Sequence, residues 1–265
     1  MPSSQLDFDF VLIPAGEFLI GTNPGRGIDL EPDETPQHTL TLPDFYIARF
    51  PVTNAQYAAF VTATGHRTPR FWRDGKMPEG KADHPVVGIN FHDCLAFCDW
   101  ASQMLGLPIR LPTEPEWEKA ARGTDGRVYP WGNQWDPRRA NSLESKLNDT
   151  TAVTRYATEG ASPYGVADLV GNVSEWCFSM FSRYPYNAND GRELLQLEKG
   201  QHLPWVERWG LQVTNEPSRL RGNEQRVVRG GSFRGTRAIC RCAYRGWAAA
   251  LHYSDDTGFR VAYRK

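Results

Sequence analysis

The sequence predicts an α+β domain that is rich in loops, with short strands and about three helices. Three segments of the first half carry apolar residues at helical spacing, and each follows a residue that can cap a helix. After Gly123 this spacing gives way to Gly, Pro and Trp between short apolar runs, which is typical of turns and short strands.

Two apolar runs, Phe10 to Ile13 and Glu17 to Gly21, flank a Pro-Ala-Gly turn in the pattern of a β-hairpin. A third strand is expected between His38 and Ile47, where β-branched and aromatic residues recur. The acidic, Pro/Gly-rich stretch 23–37 between them is expected to be a surface loop.

The three predicted helices each begin after a polar capping residue. Thr53 can cap the first, which covers 54–61, and Asn90 can cap the second, from Phe91 to Leu105. Thr113 can cap the third.

The third helix is acidic at its start. Pro115 lies in the first turn, where a missing N–H costs nothing, and Glu114, Glu116 and Glu118 suit the positive end of the helix dipole.

The second half is expected to contain three short strands, Val227 to Phe233, Ile239 to Arg245 and Thr257 to Tyr263. Residues 178–225 resemble an insertion because Pro and Gly interrupt every regular pattern in them. We expect side-chain hydrogen bonds and bound ions to hold such a half together.

The composition favours one folded domain over residues 1–265. Hydrophobic residues make up 40% and aromatic residues 12% of the chain, enough apolar area for a core. Thirty basic and 31 acidic side chains leave a net charge of −1, which favours neither nucleic acid nor a membrane as partner.

The location is expected to be cytoplasmic. Met1 to Asp7 lack the basic and apolar regions of a secretory signal, and no apolar run approaches membrane-spanning length.

Five cysteines are an odd number, which favours free thiols over a disulfide framework. Cys94 and Cys98 lack further ligands at zinc-finger spacing, so we interpret them as buried packing residues.

Eight short motifs occur in a fixed order along the chain. They are Ile13-Pro14-Ala15-Gly16-Glu17-Phe18, Pro51-Val52-Thr53-Asn54, His84-Pro85-Val86-Val87, the stretch from Arg110 to Glu118, Pro130-Trp131-Gly132, the stretch from Gly171 to Trp176, Arg229-Gly230-Gly231-Ser232-Phe233 and Gly258-Phe259-Arg260-Val261. Together they resemble the formylglycine-generating-enzyme (sulfatase-modifying factor) superfamily over nearly the whole length. The resemblance implies a C-type-lectin-like fold, often with structural calcium.

Matched position by position, the resemblance places the side chains of Asp168 and Glu175 and the carbonyls of Gly171 and Val173 on one calcium ion. Two carboxylates that flank a tight Gly-Asn turn suit the all-oxygen shell that calcium takes. The alternative is a hydrogen-bonded turn with surface carboxylates.

A second calcium site is implied at Asn141 and Ser142, with a later partner near Asp149. The spacing between Asn141 and Thr150 departs from that of the enzymes, so this site stays open at this stage.

Enzymes of the family oxidise a substrate cysteine to formylglycine with two cysteines that hold copper(I), a metal that prefers soft thiolates. Cys242 matches the second of these cysteines, but Cys240 stands two rather than five positions before it. On a strand the two thiols would share a face and could still converge on one metal. Their alternative role is strand packing.

In noncatalytic relatives and in retroelement-diversified variable proteins of the family, the region before the final strand forms an exposed ligand-binding face. Here it holds Phe233, Arg234, Arg237, Ile239, Tyr244, Trp247, Leu251, His252 and Tyr253. Aromatic side chains with arginine are typical of protein-binding hot spots, although ordinary loop residues over a core would give the same composition.

The residue types at 234–239, 246 and 248–254 can all be written with pyrimidine-ending codons, as adenine-directed diversification by a retroelement requires. The sequence therefore predicts a noncatalytic ligand-binding domain whose segment 233–256 is a variable recognition surface for a protein or peptide. The alternative is a copper-dependent formylglycine-generating oxidase that acts on a cysteine of a sulfatase-type protein through Cys240 and Cys242.

Overall fold

The computed structural model describes residues 6–26, 30–196, 213–214 and 224–265. Most of the predicted insertion 178–225, and the first five residues of the N-terminal segment, lie outside the described residues. The described part is an α+β fold with three α-helices and short strands, as predicted.

The three helices are α1 (Asn54–Thr64), α2 (Phe91–Leu105) and α3 (Glu114–Arg122). Each begins with a capping box. The side chain of the cap residue accepts a hydrogen bond from the backbone N–H three residues later, and the side chain at that later position accepts one from the backbone N–H of the cap residue. The caps are Thr53, Asn90 and Thr113, so the sequence located all three helix starts correctly.

The strands are short, with seven residues in the longest. They are β1 (Phe10–Ile13), β2 (Gly16–Ile20), β3 (His38–Leu42), β4 (Phe45–Ala48), β5 (Ser174–Met180), β6 (Leu195–Gln196), β7 (Val213–Thr214), β8 (Gln225–Arg229), β9 (Arg245–Ala249), β10 (Thr257–Gly258) and β11 (Ala262–Tyr263). Since β5 continues to Met180, the first three residues of the predicted insertion belong to a sheet.

Among the described residues, four sheets connect distant parts of the chain. The order β10-β5-β8-β9 forms the largest, in which β10 and β5 are parallel and the other neighbours are antiparallel. The order β1-β4-β11 brings the C-terminal strand onto the N-terminal sheet, and β2 pairs with β3 and β6 with β7.

The predicted hairpin is wrong in its pairing, although both of its strands exist. β1 pairs with β4 and β2 pairs with β3, so the two runs belong to different sheets. The carbonyls of Pro14 and Gly16 in the connection accept from the buried ammonium of Lys119 at 2.7 and 2.9 Å. A long-range contact, invisible to local patterning, therefore determines the path of this turn.

Four further strand boundaries are corrected. The predicted strand from Val227 to Phe233 is β8, which begins at Gln225 and ends at Arg229. The run from His38 to Ile47 is two strands, which Pro43 separates. The predicted strand from Ile239 to Arg245 is mostly turns, and β9 begins only at Arg245. The run from Thr257 to Tyr263 gives two two-residue strands.

The acidic start of α3 lies in the core. Glu114, Glu116 and Glu118 are fully buried, and each accepts from arginine side chains. A carboxylate is transferred out of water at this depth only when it is paired, so these residues form part of the core. Around them, one apolar cluster packs α1 and α2 against β5 and β8, and a second packs Trp117 of α3 against β1, β2 and β4.

In the part of the chain that the structure describes, no helix combines the length and apolar character needed to cross a membrane.

Candidate functional site

A network of buried ion pairs lies under the C-terminal segment. Glu114 of α3 accepts from Arg245 at 2.6 and 2.9 Å and from Arg229 at 3.2 Å. Burial alone raises the pKa of Glu114, but the guanidinium groups of Arg245 and Arg229 outweigh this effect and lower it. Since Arg245 begins β9 and Arg229 ends β8, one carboxylate fixes the ends of two neighbouring strands.

A second buried pair fixes the turns that precede β9. Arg241 donates to both oxygens of Glu34 at 2.6 and 2.7 Å, and Thr22 donates to the same carboxylate at 2.9 Å. Glu34 belongs to the stretch that the sequence predicted as a surface loop, but its side chain is fully buried. This loop is therefore part of the support for the C-terminal segment.

Above this network lies a groove of about 290 Å³. We call it the C-terminal groove. It is lined by Ser174, Val228, Gly231, Ser232, Arg234, Gly235, Ile239, Tyr244, Gly246, Trp247, Ala248, His252, Ser254, Asp256 and Thr257. Five of the nine residues predicted to bind ligand, Arg234, Ile239, Tyr244, Trp247 and His252, thus come together in one hollow.

Two large apolar side chains of the C-terminal segment are exposed, one that lines the groove and one outside its lining. Trp247 on β9 and Leu251 in the turn after it are each 54% exposed. Side chains of this size usually lose most of their exposed area on folding, and clusters of exposed ones mark interaction sites. Trp247 and Leu251 are therefore exposed to solvent, as the sequence predicted.

Like Leu251, the other three predicted ligand contacts lie outside the groove lining. Phe233 is only 4% exposed, and Arg237 is exposed but lies outside the groove lining. The ring of Tyr253 lies within 5.2 and 5.5 Å of the guanidinium carbons of Arg67 and Arg70, and its hydroxyl accepts from Asn90 at 2.9 Å. Tyr253 thus holds the segment against the cap of α2.

Polar side chains at the groove are organised by acidic residues that the sequence analysis missed. Asp256 accepts from Ser232 at 2.7 Å and also from Ser254. Arg234 pairs with Asp255 at 2.5 Å at an exposed position. The Ser-Asp-Asp order at 254–256 was the available signal, because serine and aspartate commonly hydrogen-bond to nearby turns.

Cys240 and Cys242 do not form a paired-thiol site. Cys240 packs with Ala140 and Val170 in one apolar cluster, whereas Cys242 packs in the separate cluster around Trp117. The thiol of Cys240 donates weakly to the carbonyls of Ser232 and Gly235. They lie in turns, so the strand geometry that would place both sulfurs on one face is absent. These residues do not fit a copper(I) clamp.

The two thiols are also protonated at neutral pH. Burial raises the pKa of Cys240 to about 12, and burial likewise raises the pKa of Cys242 to about 12. Metal binding and nucleophilic chemistry both require the thiolate. All five cysteines are free and buried, as predicted.

The predicted calcium ligand Asp168 is a buried carboxylate at the start of the Gly-Asn turn. Burial raises its pKa to about 7, and a hydrogen bond from Asn172 at 2.6 Å offsets this only in part. The side chain of Asn172 also joins Asn141 to Thr151. A cation beside Asp168 would remove the cost of burying its charge.

Glu175, the other predicted carboxylate ligand, is already neutralised. Arg260 donates to both of its oxygens at 2.6 Å, and Trp117 donates to one of them at 2.8 Å. A carboxylate has about four acceptor positions, so one remains for a cation. Among the described residues no group of three or more His, Cys, Asp or Glu side chains could hold a metal, so backbone oxygens would have to complete the shell.

The backbone of this turn is closely packed. Gly171 has a φ of +74°, and an added Cβ would lie 2.3 Å from the carbonyl oxygen of Asn141. At the predicted second calcium site, the buried hydroxyl of Ser142 has no hydrogen-bond partner. Asp149, the predicted later ligand of this site, forms an ion pair with Lys81 at 2.6 Å, so its charge is already balanced by a side chain of the protein.

A larger hollow of about 540 Å³ lies on the segment from Trp131 to Arg139. Its acid, Asp136, pairs with Arg138 and Arg139 at 3.0 and 3.3 Å. None of the residues predicted to bind ligand lines it, so the C-terminal groove remains the better candidate.

Comparisons with known proteins identify the family and the fold. The family model described as "Sulfatase-modifying factor enzyme 1-like domain" matches residues 2–265. The formylglycine-generating enzyme of Streptomyces coelicolor is 31% identical, over 95% of this chain and 88% of that protein. The serine/threonine-protein kinase pkn1 of Chlamydia caviae is 30% identical over 96% of this chain, but the chain spans only 38% of the length of that protein.

Solved structures share the fold over nearly the full length. PvdO from Pseudomonas aeruginosa superposes with a TM-score of 0.73 at 25% identity, covering 97% of this chain and 94% of that one. Variable protein 1 of Treponema denticola has a TM-score of 0.71 at 22% identity, covering 100% and 98%, which establishes likeness of fold alone.

The thiol environment gives a testable prediction. Because burial raises the pKa of both Cys240 and Cys242 to about 12, only about one molecule in ten thousand carries either thiolate at pH 8. We expect no rapid labelling by iodoacetamide in the native protein, and labelling of all five cysteines after denaturation. Mass spectrometry of digested protein would measure this, and fast native labelling at either residue would contradict it.

Proposed function

We propose that this chain, which belongs to the family of the sulfatase-modifying factor enzyme 1-like domain, is a noncatalytic ligand-binding domain. Segment 233–256 forms its recognition surface, and the ligand is a protein or peptide. The observation that carries this proposal is the C-terminal groove, where Tyr244 and Trp247 line a hollow of about 290 Å³.

The chemistry of the groove suits a peptide. Aromatic rings offer rigid apolar area, while Arg234, Ser232 and Asp256 offer donors and acceptors at fixed positions. The buried pairs of Glu114 and Glu34 hold these residues in place before binding, which reduces the entropy lost when a ligand is ordered.

The proposal includes variability of the segment. The residues whose types suit adenine-directed codons, 234–239, 246 and 248–254, include several that line the groove. Their side chains can change without loss of the buried network, because Arg229, Arg241 and Arg245 lie outside this set. A near-copy of the segment in the flanking DNA, differing at adenines, is the genetic sign of a diversity-generating retroelement.

The second candidate is a copper-dependent formylglycine-generating oxidase. The 31% identity with the Streptomyces coelicolor enzyme favours it. Against it stands the burial of Cys240 and Cys242 in separate apolar clusters. Aldehyde formation on a cysteine-containing sulfatase-type peptide with copper(I), abolished by Cys242→Ser, would establish the oxidase.

Calcium is proposed as a structural ion. Asp168, the remaining acceptor position of Glu175 and the carbonyls of Gly171 and Val173 would hold it. Bound there, the ion supplies positive charge to a turn that packs directly under Gly230. A second ion at Asn141 and Ser142 stays a prediction.

Substitution of Trp247 tests the binding function. Peptides selected from a phage-displayed random library against the wild-type domain should bind Trp247→Ala at least ~10-fold more weakly, because the variant removes the largest exposed apolar surface of the groove. Leu12 on β1 is 48% exposed and lies outside the groove, so Leu12→Ala is the matched control and should bind normally. Calorimetric titration measures the affinities. Selection of no peptide, or equal affinity for Trp247→Ala, would contradict the proposal.

Substitution of Asp168 tests the calcium site. The pKa of Asp168 is about 7 in the folded protein, against a usual 3.8. The protonated side chain therefore stabilises the fold at low pH, and this stability is lost as the pH rises from about 4 to about 7 and the buried group ionises. In chelator, Asp168→Asn should therefore be more stable than wild type at pH 8 and similar near pH 4. Excess calcium should raise the melting temperature of the wild type alone. Equal responses of both proteins to calcium would exclude Asp168 as a ligand.

A further inference from the structure

A second hollow of about 230 Å³ adjoins the C-terminal groove. We call it the Phe71 hollow. It is lined by Asn54, Phe71, Trp72, Pro78, Lys81, Pro85, Val87, Asn148, Asp149, Thr150, Phe233, Arg234 and Asp255. Arg234 lines both hollows, and its ion-pair partner Asp255 precedes the groove residue Asp256, so this exposed pair forms the ridge between them.

We propose that the Phe71 hollow is a second subsite of the recognition surface, and that it takes an uncharged aromatic side chain of the ligand. This inference rests on the proposed function, because it assigns the same ligand to both hollows. It also explains the position of Phe233, which was predicted to contact ligand and lies outside the groove.

The walls of the Phe71 hollow are aromatic. Phe71 is 47% exposed, whereas Trp72 and Phe233 are 8% and 4% exposed. Rings at the wall of a hollow favour an aromatic guest, because edge-to-face and offset contacts add to the gain from burial. Pro78, Pro85 and Val87 complete the apolar part.

The charges of the hollow are already paired. Lys81 donates to both oxygens of Asp149 at 2.6 Å, and Arg234 pairs with Asp255 at 2.5 Å. A charged guest would have to separate one of these pairs or leave its own charge without a partner. An uncharged ring needs neither, so the paired charges discriminate against lysine and glutamate side chains.

The hollow is preformed by backbone contacts. The carbonyl of Gly88 accepts from the N–H of Arg70 at 2.8 Å, and the N–H of Gly88 donates to the carbonyl of Ser254 at 2.8 Å. Gly88 has a φ of +77°, and a Cβ there would lie 2.7 Å from the ring of Phe71. The loop that carries Phe71 is thereby fixed to the C-terminal segment that forms the groove.

The opposite wall is fixed as well. Trp72 donates through its indole N–H to the side chain of Asn54 at 3.3 Å, and Asn54 donates to the carbonyl of Lys81 at 2.9 Å. The volume of about 230 Å³ is below the range of pockets that hold drug-sized ligands, so it suits one side chain.

Capped amino acids test the subsite directly. We would titrate the wild-type protein with N-acetyl-tyrosinamide, N-acetyl-lysinamide and N-acetyl-glutamic acid amide, following protein amide shifts by NMR. The tyrosine compound should saturate with a dissociation constant on the order of 1 mM and shift amides near Phe71 and Asn148, because one buried side chain gives this affinity. The lysine and glutamate compounds should bind at least ~10-fold more weakly.

Matched variants locate the binding. Phe71→Ala should weaken the tyrosine compound at least ~5-fold, whereas Trp247→Ala and Leu12→Ala should leave it within about two-fold. Phe71 is half exposed, so its removal leaves the fold intact, which circular dichroism would check. Absence of saturable binding, equal binding of the charged compounds, or sensitivity to Trp247→Ala rather than Phe71→Ala would each overturn the subsite.

The two proposals fail in different ways. Library-selected peptides that depend on Trp247 but not on Phe71 would retain the proposed function and remove the second subsite. Failure to select any peptide would remove the proposed function, whatever the capped amino acids show.

Discussion

Buried arginine–glutamate pairs are the constraint on which the rest of this structure depends. Glu114 and Glu118 meet Arg229 and Arg245 in a region that water does not reach. Further pairs join Glu34 to Arg241, Glu116 to Arg110 and Glu175 to Arg260. Except for Arg110 and Glu116, which are six residues apart, these pairs connect segments far apart in the chain. Each holds a charge that is buried without loss of its counter-charge. Short strands and long turns can therefore hold one arrangement, because departure from it would leave a charge buried alone.

This arrangement supports the proposal that the C-terminal segment is a recognition surface. Arg241 and Arg245 point into the network, while Arg234, Arg237, Trp247 and Leu251 remain exposed. The side chains that contact solvent are thus separated from those that maintain the fold, and the surface can vary in sequence at little cost in stability. The same packing encloses Cys240 and Cys242 in different apolar clusters, where neither thiol ionises readily. In this interior the two thiols do not lie together as a copper(I) pair.

Local and long-range information account for what the sequence could and could not predict. The helix starts at Thr53, Asn90 and Thr113 were predictable because a capping box lies within four residues. The pairing of β1 and β2 was not, since Lys119, more than a hundred residues away, determines the turn between them. The burial of Glu114 could not be predicted, because its arginine partners follow over a hundred residues later. The repeated arginines at 229, 241, 245 and 260, set among apolar residues, were the one signal of a buried network.

The direct test of this account is the free energy of unfolding of Glu114→Gln, measured by guanidinium denaturation beside Asp9→Asn. Glu114→Gln leaves Arg229 and Arg245 without their shared counter-charge, so we predict a loss of about 3–5 kcal/mol. Asp9 pairs with Arg49 at the surface, where both side chains are at least 36% exposed, and its substitution should cost below about 1 kcal/mol. Losses below about 1 kcal/mol in both variants would contradict the claim that buried ion pairs hold the recognition surface.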